Sequence, residues 1–256
     1  MLDQASATNV PVRISPPSNF RHATRIQESL TAGPEKKALL WLAAHLPASI
    51  NSDHLTLLGF VAMFLAGCSY AAARWNPWGL VAAIFFLAIN WFGDSLDGTL
   101  ARFRNRQRPR YGFYVDHIID SFGALFLMGG LGASGYVDWR IAAGMLVAFL
   151  LLSIETYLAS YTLGIFRLSF AKFGPTELRL LLAIGNIVLF FHPHARVPGL
   201  PYRMLDFGGA IAIIGMLTMA IVAAISHTRQ LHREESPVPS NPNNHTDSKI
   251  QPPPQT

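Results

Sequence analysis

Uncharged apolar runs recur along this chain at intervals that leave little choice of solvent. Leu55–Ala73, Pro77–Gly93, Ser121–Val137, Ile141–Ile154 and Phe207–Ser226 are each free of charge, and most approach the ~20 helical residues that cross ~30 Å of hydrocarbon. One further run, Leu180–Phe191, the fifth in chain order, is short alone, but a helix beginning at Thr176 would reach about 24 Å at 1.5 Å per residue. With 51% hydrophobic and only 14% charged residues in 256, a soluble domain of this size is excluded and a bilayer is the natural medium. The expected fold is all-α: a polytopic membrane protein of six transmembrane helices.

The charges are placed as topology signals. Arg102, Arg104, Arg106, Arg108 and Arg110 lie between the second and third runs, and Arg167, Lys172 and Arg179 between the fourth and fifth. Excess basic residues mark cytoplasmic loops, so six spans put both termini in the cytoplasm. The net charge of +5 therefore does not read as a nucleic-acid surface, because the basic residues flank spans instead of covering a soluble module. Cys68, the only cysteine, sits inside the first run and supports neither a disulfide framework nor a thiolate metal site. The polar, proline-containing first thirty residues show no cleavable signal peptide. Insertion is expected to start from the first span.

Residues 1–33 read as a mobile segment, and residues 229–256, rich in Pro, Ser, Asn and Gln, as a disordered tail. The membrane domain is expected over residues 34–228. At its start, Leu39, Leu40, Leu42 and Leu46 accompany Lys36 and Lys37, the pattern of an amphipathic helix lying in the headgroup layer.

Chemistry is concentrated between Asn90 and Gly123. Asp94 and Asp97 are three residues apart and Asp116 and Asp120 four apart, so each pair shares one helical face. A carboxylate deep in a membrane costs roughly 2.5–3.5 kcal/mol on insertion scales, and four together need a compensating cation. Only His117 stands among them, and oxygen ligands favour Mg²⁺ or Mn²⁺ over Zn²⁺; two such ions would clamp a diphosphate. Gly98 and Ala101 continue the first carboxylate face, Gly112 precedes the second, and Arg102 lies one turn past Asp97. Small residues admit a ligand to the backbone, and a guanidinium fork suits phosphate oxygens. Taken singly, such glycines serve helix packing and such arginines fix topology. Packing gives no reason for four carboxylates.

Asp94-x-x-Asp97-Gly98-x-x-Ala101-Arg102, then Gly112-x-x-x-Asp116-x-x-x-Asp120, resembles the motif of the class I CDP-alcohol phosphatidyltransferases at every defined position. The resemblance extends over nearly residues 34–228. It implies attack of an alcohol hydroxyl on the phosphorus bearing the donor's alcohol group, with release of CMP, in phospholipid synthesis. Carried over, Asp94, Asp97, Asp116 and Asp120 would hold two Mg²⁺ or Mn²⁺ ions and Asp120 would also be the catalytic base. Gly98 and Ala101 would lie against the cytidine, and Arg102 and Gly112 would belong to the nucleotide surface. Partners implied are a CDP-alcohol donor, an alcohol acceptor, membrane lipid and a second subunit. Glycines 123, 129, 130, 132 and 135 in the third run offer close helix approach, within a subunit or between two.

Three features stay open. Glu155 in the fourth run is either functional or paired with a buried Arg or His. Residues 174–179 either cap the fifth span or, with Arg167 and Lys172, form a basic rim for an anionic group. His192 and His194 read as interfacial. A cation transporter with an acidic intramembrane path is the alternative to an enzyme, and Glu155 is its only hint of continuation.

Overall fold

A computed structural model of the chain describes residues 24–26, 32–167, 175–197 and 202–235. Most of the 1–33 segment, residues 236–256, Lys172 and Gly174 lie outside the described residues. The described elements run β1 (Thr24–Ile26), α1 (Ala32–His45), α2 (Ser52–Ala73), α3 (Trp78–Phe103), α4 (Pro109–Ala133), α5 (Trp139–Leu163), β2 (Ile165–Arg167), α6 (Pro175–Phe191) and α7 (Met204–Glu234). The all-α expectation holds for every long element. The one departure is the three-residue pairing of β1 with β2, parallel, with Thr24 opposite Ile165 and Ile26 opposite Arg167.

Four helices among the described residues, α2, α3, α5 and α7, are long and apolar enough to cross a membrane. Two expected spans fall short by that measure for separate reasons. α4 has 25 residues, but its first half carries Arg110, Asp116 and Asp120, while α6 has only 17. α7 runs on through Glu234, so residues 229–234, expected in the tail, are helical. Gln230 donates to Glu234 one turn on (2.9 Å), and the helix stops short of Pro237, which cannot continue it.

α2 packs most extensively on α3 and next on α4; α6 lies on α3, and α7 on α5. The larger core joins Tyr70, Leu80, Leu87, Leu127, Leu131 and Leu189. A second, smaller one joins Leu39 and Ala43 of α1 to Leu55, Leu96 and Leu100. The spacing of Leu39 and Ala43 puts both on one face, and that face is buried against the bundle, whereas Leu40 and Trp41 point outward, 42% and 62% exposed. α1 thus docks one apolar edge on α2 and α3 and leaves another uncovered.

Two glycine contacts set the helix spacing. A Cβ on Gly93 of α3 would stand 2.6 Å from the Leu55 carbonyl oxygen of α2, and one on Gly130 of α4 would fall within the radius of the Gly67 carbonyl oxygen of α2. Three of the third-run glycines are therefore used inside the subunit: Gly130 against Gly67, Gly123 against Met63 and Gly132 against Ala142. Gly135 takes a left-handed φ of 79° in the turn to α5. Gly129 faces open space.

Adding one methyl to two neighbouring glycines separates packing from propensity. Gly130→Ala is expected to force α2 and α4 apart and to cost about 1–3 kcal/mol, read as a lowered thermal midpoint in detergent. Gly129→Ala, with nothing within 4 Å of its Cβ inside the subunit, is expected to hold or raise the midpoint, by up to about 1 kcal/mol of helix propensity.

Candidate metal centre

The two carboxylate pairs stand on adjacent helices joined by a short connection, residues 104–108. Asn105 takes a left-handed φ of 53° there, a conformation Asn tolerates well. Pro109 opens α4 at a position where its missing N–H is not needed. The arginines of this loop fasten it: Arg104 donates to the carbonyls of Leu46 (2.9 Å), Pro47 (3.0 Å) and Ile50, and Arg108 pairs with Asp53. Besides any role in topology, these two cations hold the α1–α2 and α3–α4 connections together.

Asp94 of α3 and Asp116 and Asp120 of α4 converge, each offering an oxygen within 4.8 Å of the others. Asp94 is partly buried, with 28% of its side chain exposed, and Asp116 is more open at 47%. The donor set is all carboxylate oxygen, which fits a hard divalent cation such as Mg²⁺ or Mn²⁺. Asp97 stands outside this trio. Its Oδ2 accepts from the Thr56 hydroxyl (2.6 Å), its Oδ1 from the Gly98 N–H, and its carbonyl from Ser52 (3.1 Å). The first turn of α2 therefore competes for the fourth carboxylate.

Asp94 has a basic partner from a third helix. Arg179 of α6 donates through Nη2 to Asp94 Oδ2 (2.6 Å) and through Nε to Asn90 Oδ1 (2.9 Å). Asn90 in turn donates through Nδ2 to the Gly59 carbonyl (3.0 Å). Of the proposed basic rim, Arg179 is thus turned to the carboxylates, and the Arg167 side chain and Lys172 lie outside the described residues. Thr176 donates to Glu35 of α1 (3.0 Å), which also accepts from Trp91 Nε1 (2.9 Å) and Ser95 (3.4 Å). Glu177 is buried in the first turn of α6.

The small residues beside the carboxylates behave differently from one another. At Gly98 a Cβ would stand 3.3 Å from Arg102 Nη1, so the guanidinium lies over this glycine, with Nη2 also donating to Thr99 (3.1 Å). Gly112 faces open space, and Ala101 is partly buried. His117 is buried, donates Nδ1 to the Phe113 carbonyl (2.6 Å) and packs against the Phe113 and Tyr157 rings. It is a packing residue between α4 and α5. Glu155 pairs with His227 (2.6 Å), with both side chains largely covered, and so ties α5 to α7.

Asn90, Glu35 and the Arg179–Asp94 pair escape a reading of the motif alone. Asn90 did carry a signal: it lies four residues before Asp94 in an apolar run, hence on the same helical face. Nothing in the spacing of Glu35 or Arg179 links them to α3.

Comparison with known proteins bears on the same residues. An archaetidylinositol phosphate synthase of Pyrococcus horikoshii is 33% identical over 113 residues, 44% of this chain and 53% of that protein. The chain thus matches about half the length of this relative. An uncharacterized protein of Aquifex aeolicus is 32% identical over 148 residues, 55% of this chain and 70% of that protein. The family model for CDP-alcohol phosphatidyltransferase matches residues 49–225, a stretch that takes in α2 to α6, most of α7 and every aspartate of the trio. With more than half of its length matched in this way, the chain belongs to the CDP-alcohol phosphatidyltransferase family.

Proposed function

We propose that this protein is an integral membrane transferase that moves a substituted phosphate group from a CDP-alcohol to an acceptor alcohol and releases CMP. The observation that carries the proposal is the convergence of Asp94, Asp116 and Asp120 within 4.8 Å, from the two helices that hold the complete family motif. Asp94, Asp116 and Asp120, with Asp97 on the same face of α3, would hold two Mg²⁺ or Mn²⁺ ions, which would neutralise the diphosphate charge. Asp120 takes the proton of the acceptor hydroxyl as its oxygen bonds to the phosphorus bearing the donor's alcohol group. The bond from that phosphorus to the bridging oxygen breaks, and the oxygen leaves with CMP. Arg102 and Gly112 border the nucleotide, with Gly98 and Ala101 against the cytidine. The chemistry rests on orientation and charge placement, which is what phosphoryl-type transfer requires.

In this reading α2 to α7 make six crossings, with the aspartate end and both termini cytoplasmic. The outward Trp41 and Leu40 of α1 suit a helix at the membrane interface, where Trp is favoured. The membrane domain spans residues 34 to at least 228, with residues 236–256 as a dispensable tail. Two donor types share the motif: a CDP-linked lipid with a small polar acceptor, and a CDP-linked head group with a diacylglycerol acceptor. The first type is screened first, a choice prompted by the archaetidylinositol phosphate synthase of Pyrococcus horikoshii. The transport alternative loses its support for a continuing path, because Glu155 is engaged by His227.

Purified protein is expected to release CMP from a CDP-alcohol only with Mg²⁺ or Mn²⁺ and the matching acceptor, with the product lipid identified by mass spectrometry. Asp120→Asn should lower turnover by ~10²–10⁴-fold, the usual contribution of a general base, while the variant still inserts and folds. Near-normal turnover would remove Asp120 from the mechanism, and cation flux without nucleotide product would replace the enzyme reading with transport.

The protein is further proposed to be a homodimer with a complete site in each subunit. Gly129 remains open beside an apolar groove lined by Met128, Gly132, Trp139, Ala142 and Leu146, and this face of α4 and α5 is assigned to the second copy. Mixing excess Asp120→Asn subunits with wild-type ones is expected to leave activity per wild-type subunit unchanged. A steep fall with mutant fraction would mean a shared site.

A further inference from the structure

The Asp94 carboxylate is tied through three hydrogen bonds to the backbone of another helix. Asn90 is 6% exposed, and its Nδ2 donates to the Gly59 carbonyl of α2 (3.0 Å). That bond fixes which end of the amide faces α6, leaving Oδ1 to accept from Arg179 Nε (2.9 Å). With Nε held, the guanidinium plane is held, and Nη2 reaches Asp94 Oδ2 at 2.6 Å. Asn90 and Asp94 are one helical turn apart on α3, a separation that one guanidinium fork can span. The base of Arg179 is braced too, because Thr176, three residues earlier on α6, donates to Glu35 (3.0 Å), which also accepts from Ser95 beside Asp94.

We propose that Asn90 and Arg179 are positioning residues that fix the Asp94 carboxylate as a ligand for the divalent cation. Arg179 occupies Oδ2 and leaves Oδ1 to the ion. This rests on the metal reading given above and adds to it the residues that orient one ligand. Mg²⁺ in particular demands near-ideal geometry, and groups that hold a ligand by hydrogen bonds typically govern metal affinity by 10–100-fold. The competing account is that Arg179 is only a cation neutralising the acidic trio. The two differ in sign. A competitor for Asp94, once removed, lets the ion bind more tightly, whereas loss of a positioning group weakens binding.

The test is Mn²⁺ binding to the purified full chain in detergent, followed by electron paramagnetic resonance and calorimetry. The variants are Arg179→Met, Arg179→Lys and Asn90→Ala, with Asp116→Asn as the reference. Wild-type protein is expected to bind Mn²⁺ and Asp116→Asn to lose it. Each of the other three is expected to weaken binding about 10-fold. Arg179→Lys with Asn90→Ala together should be no weaker than the weaker single variant, because both break one chain. Arg179→Lys keeps the charge and, at a side chain 14% exposed, carries the test if Asn90→Ala does not fold. Unchanged affinity in Arg179→Lys, tighter binding in Arg179→Met, or additive losses would each overturn the positioning role while leaving the metal site standing. No Mn²⁺ binding by the wild type would overturn the metal reading and this inference together.

Discussion

The contact between α2 and α3 at Gly59 and Gly93 is the constraint from which the rest of the arrangement follows. A side chain on Gly93 would meet the Leu55 carbonyl oxygen and the Gly59 backbone nitrogen at 2.6 and 2.7 Å, so the two backbones approach as closely as glycine allows. Membrane helices gain little from burying apolar surface, because lipid is equally apolar, and such close packing with interhelical hydrogen bonds takes over. The closeness also has a polar use. It brings the Gly59 carbonyl to the Asn90 amide, and it sets Thr56 and Ser52 of α2 against Asp97 of α3. The carboxylate end of α3 is therefore stiffened from the α2 side.

Each acidic group in the bundle is treated according to its place. Asp94 meets Arg179, Asp97 meets hydroxyl and backbone donors, and Glu155 meets His227. These pairings meet the cost of a carboxylate in an apolar setting, which is large when it is left without a partner. Asp116 and Asp120 are more exposed and face the region where their partner in the proposed reaction is a metal ion. Asp94 does both, paired with Arg179 through one oxygen and converging with Asp116 and Asp120.

α1 adds a brace across this end. Its Glu35 gathers donors from Trp91, Ser95 and Thr176, so one carboxylate links α1, α3 and α6 while Leu39 and Ala43 bury against the second core. From the sequence, α1 is expected only as an amphipathic helix in the headgroup layer. Docked, it is joined by hydrogen bonds to the helices that carry Asp94 and Arg179.

The sequence by itself determined the bilayer as solvent, the helical fold and the stretch that bears the chemistry. Long uncharged runs admit no other medium, and period-3.6 spacing puts Asp94 with Asp97 and Asp116 with Asp120 wherever those helices lie. It also supplied the family, through residues whose spacing is local to two helices. Only the tertiary structure decided that Asp94, Asp116 and Asp120 meet while Asp97 turns to Thr56, that the α4 glycines pack mostly within the subunit, and that Glu155 pairs with His227. It alone joined Arg179 to a carboxylate 85 positions away. Those outcomes depend on distances between helices, and interhelical distance is set by backbone approach at sites such as Gly59–Gly93 and Gly67–Gly130, which helical periodicity within a single segment does not encode.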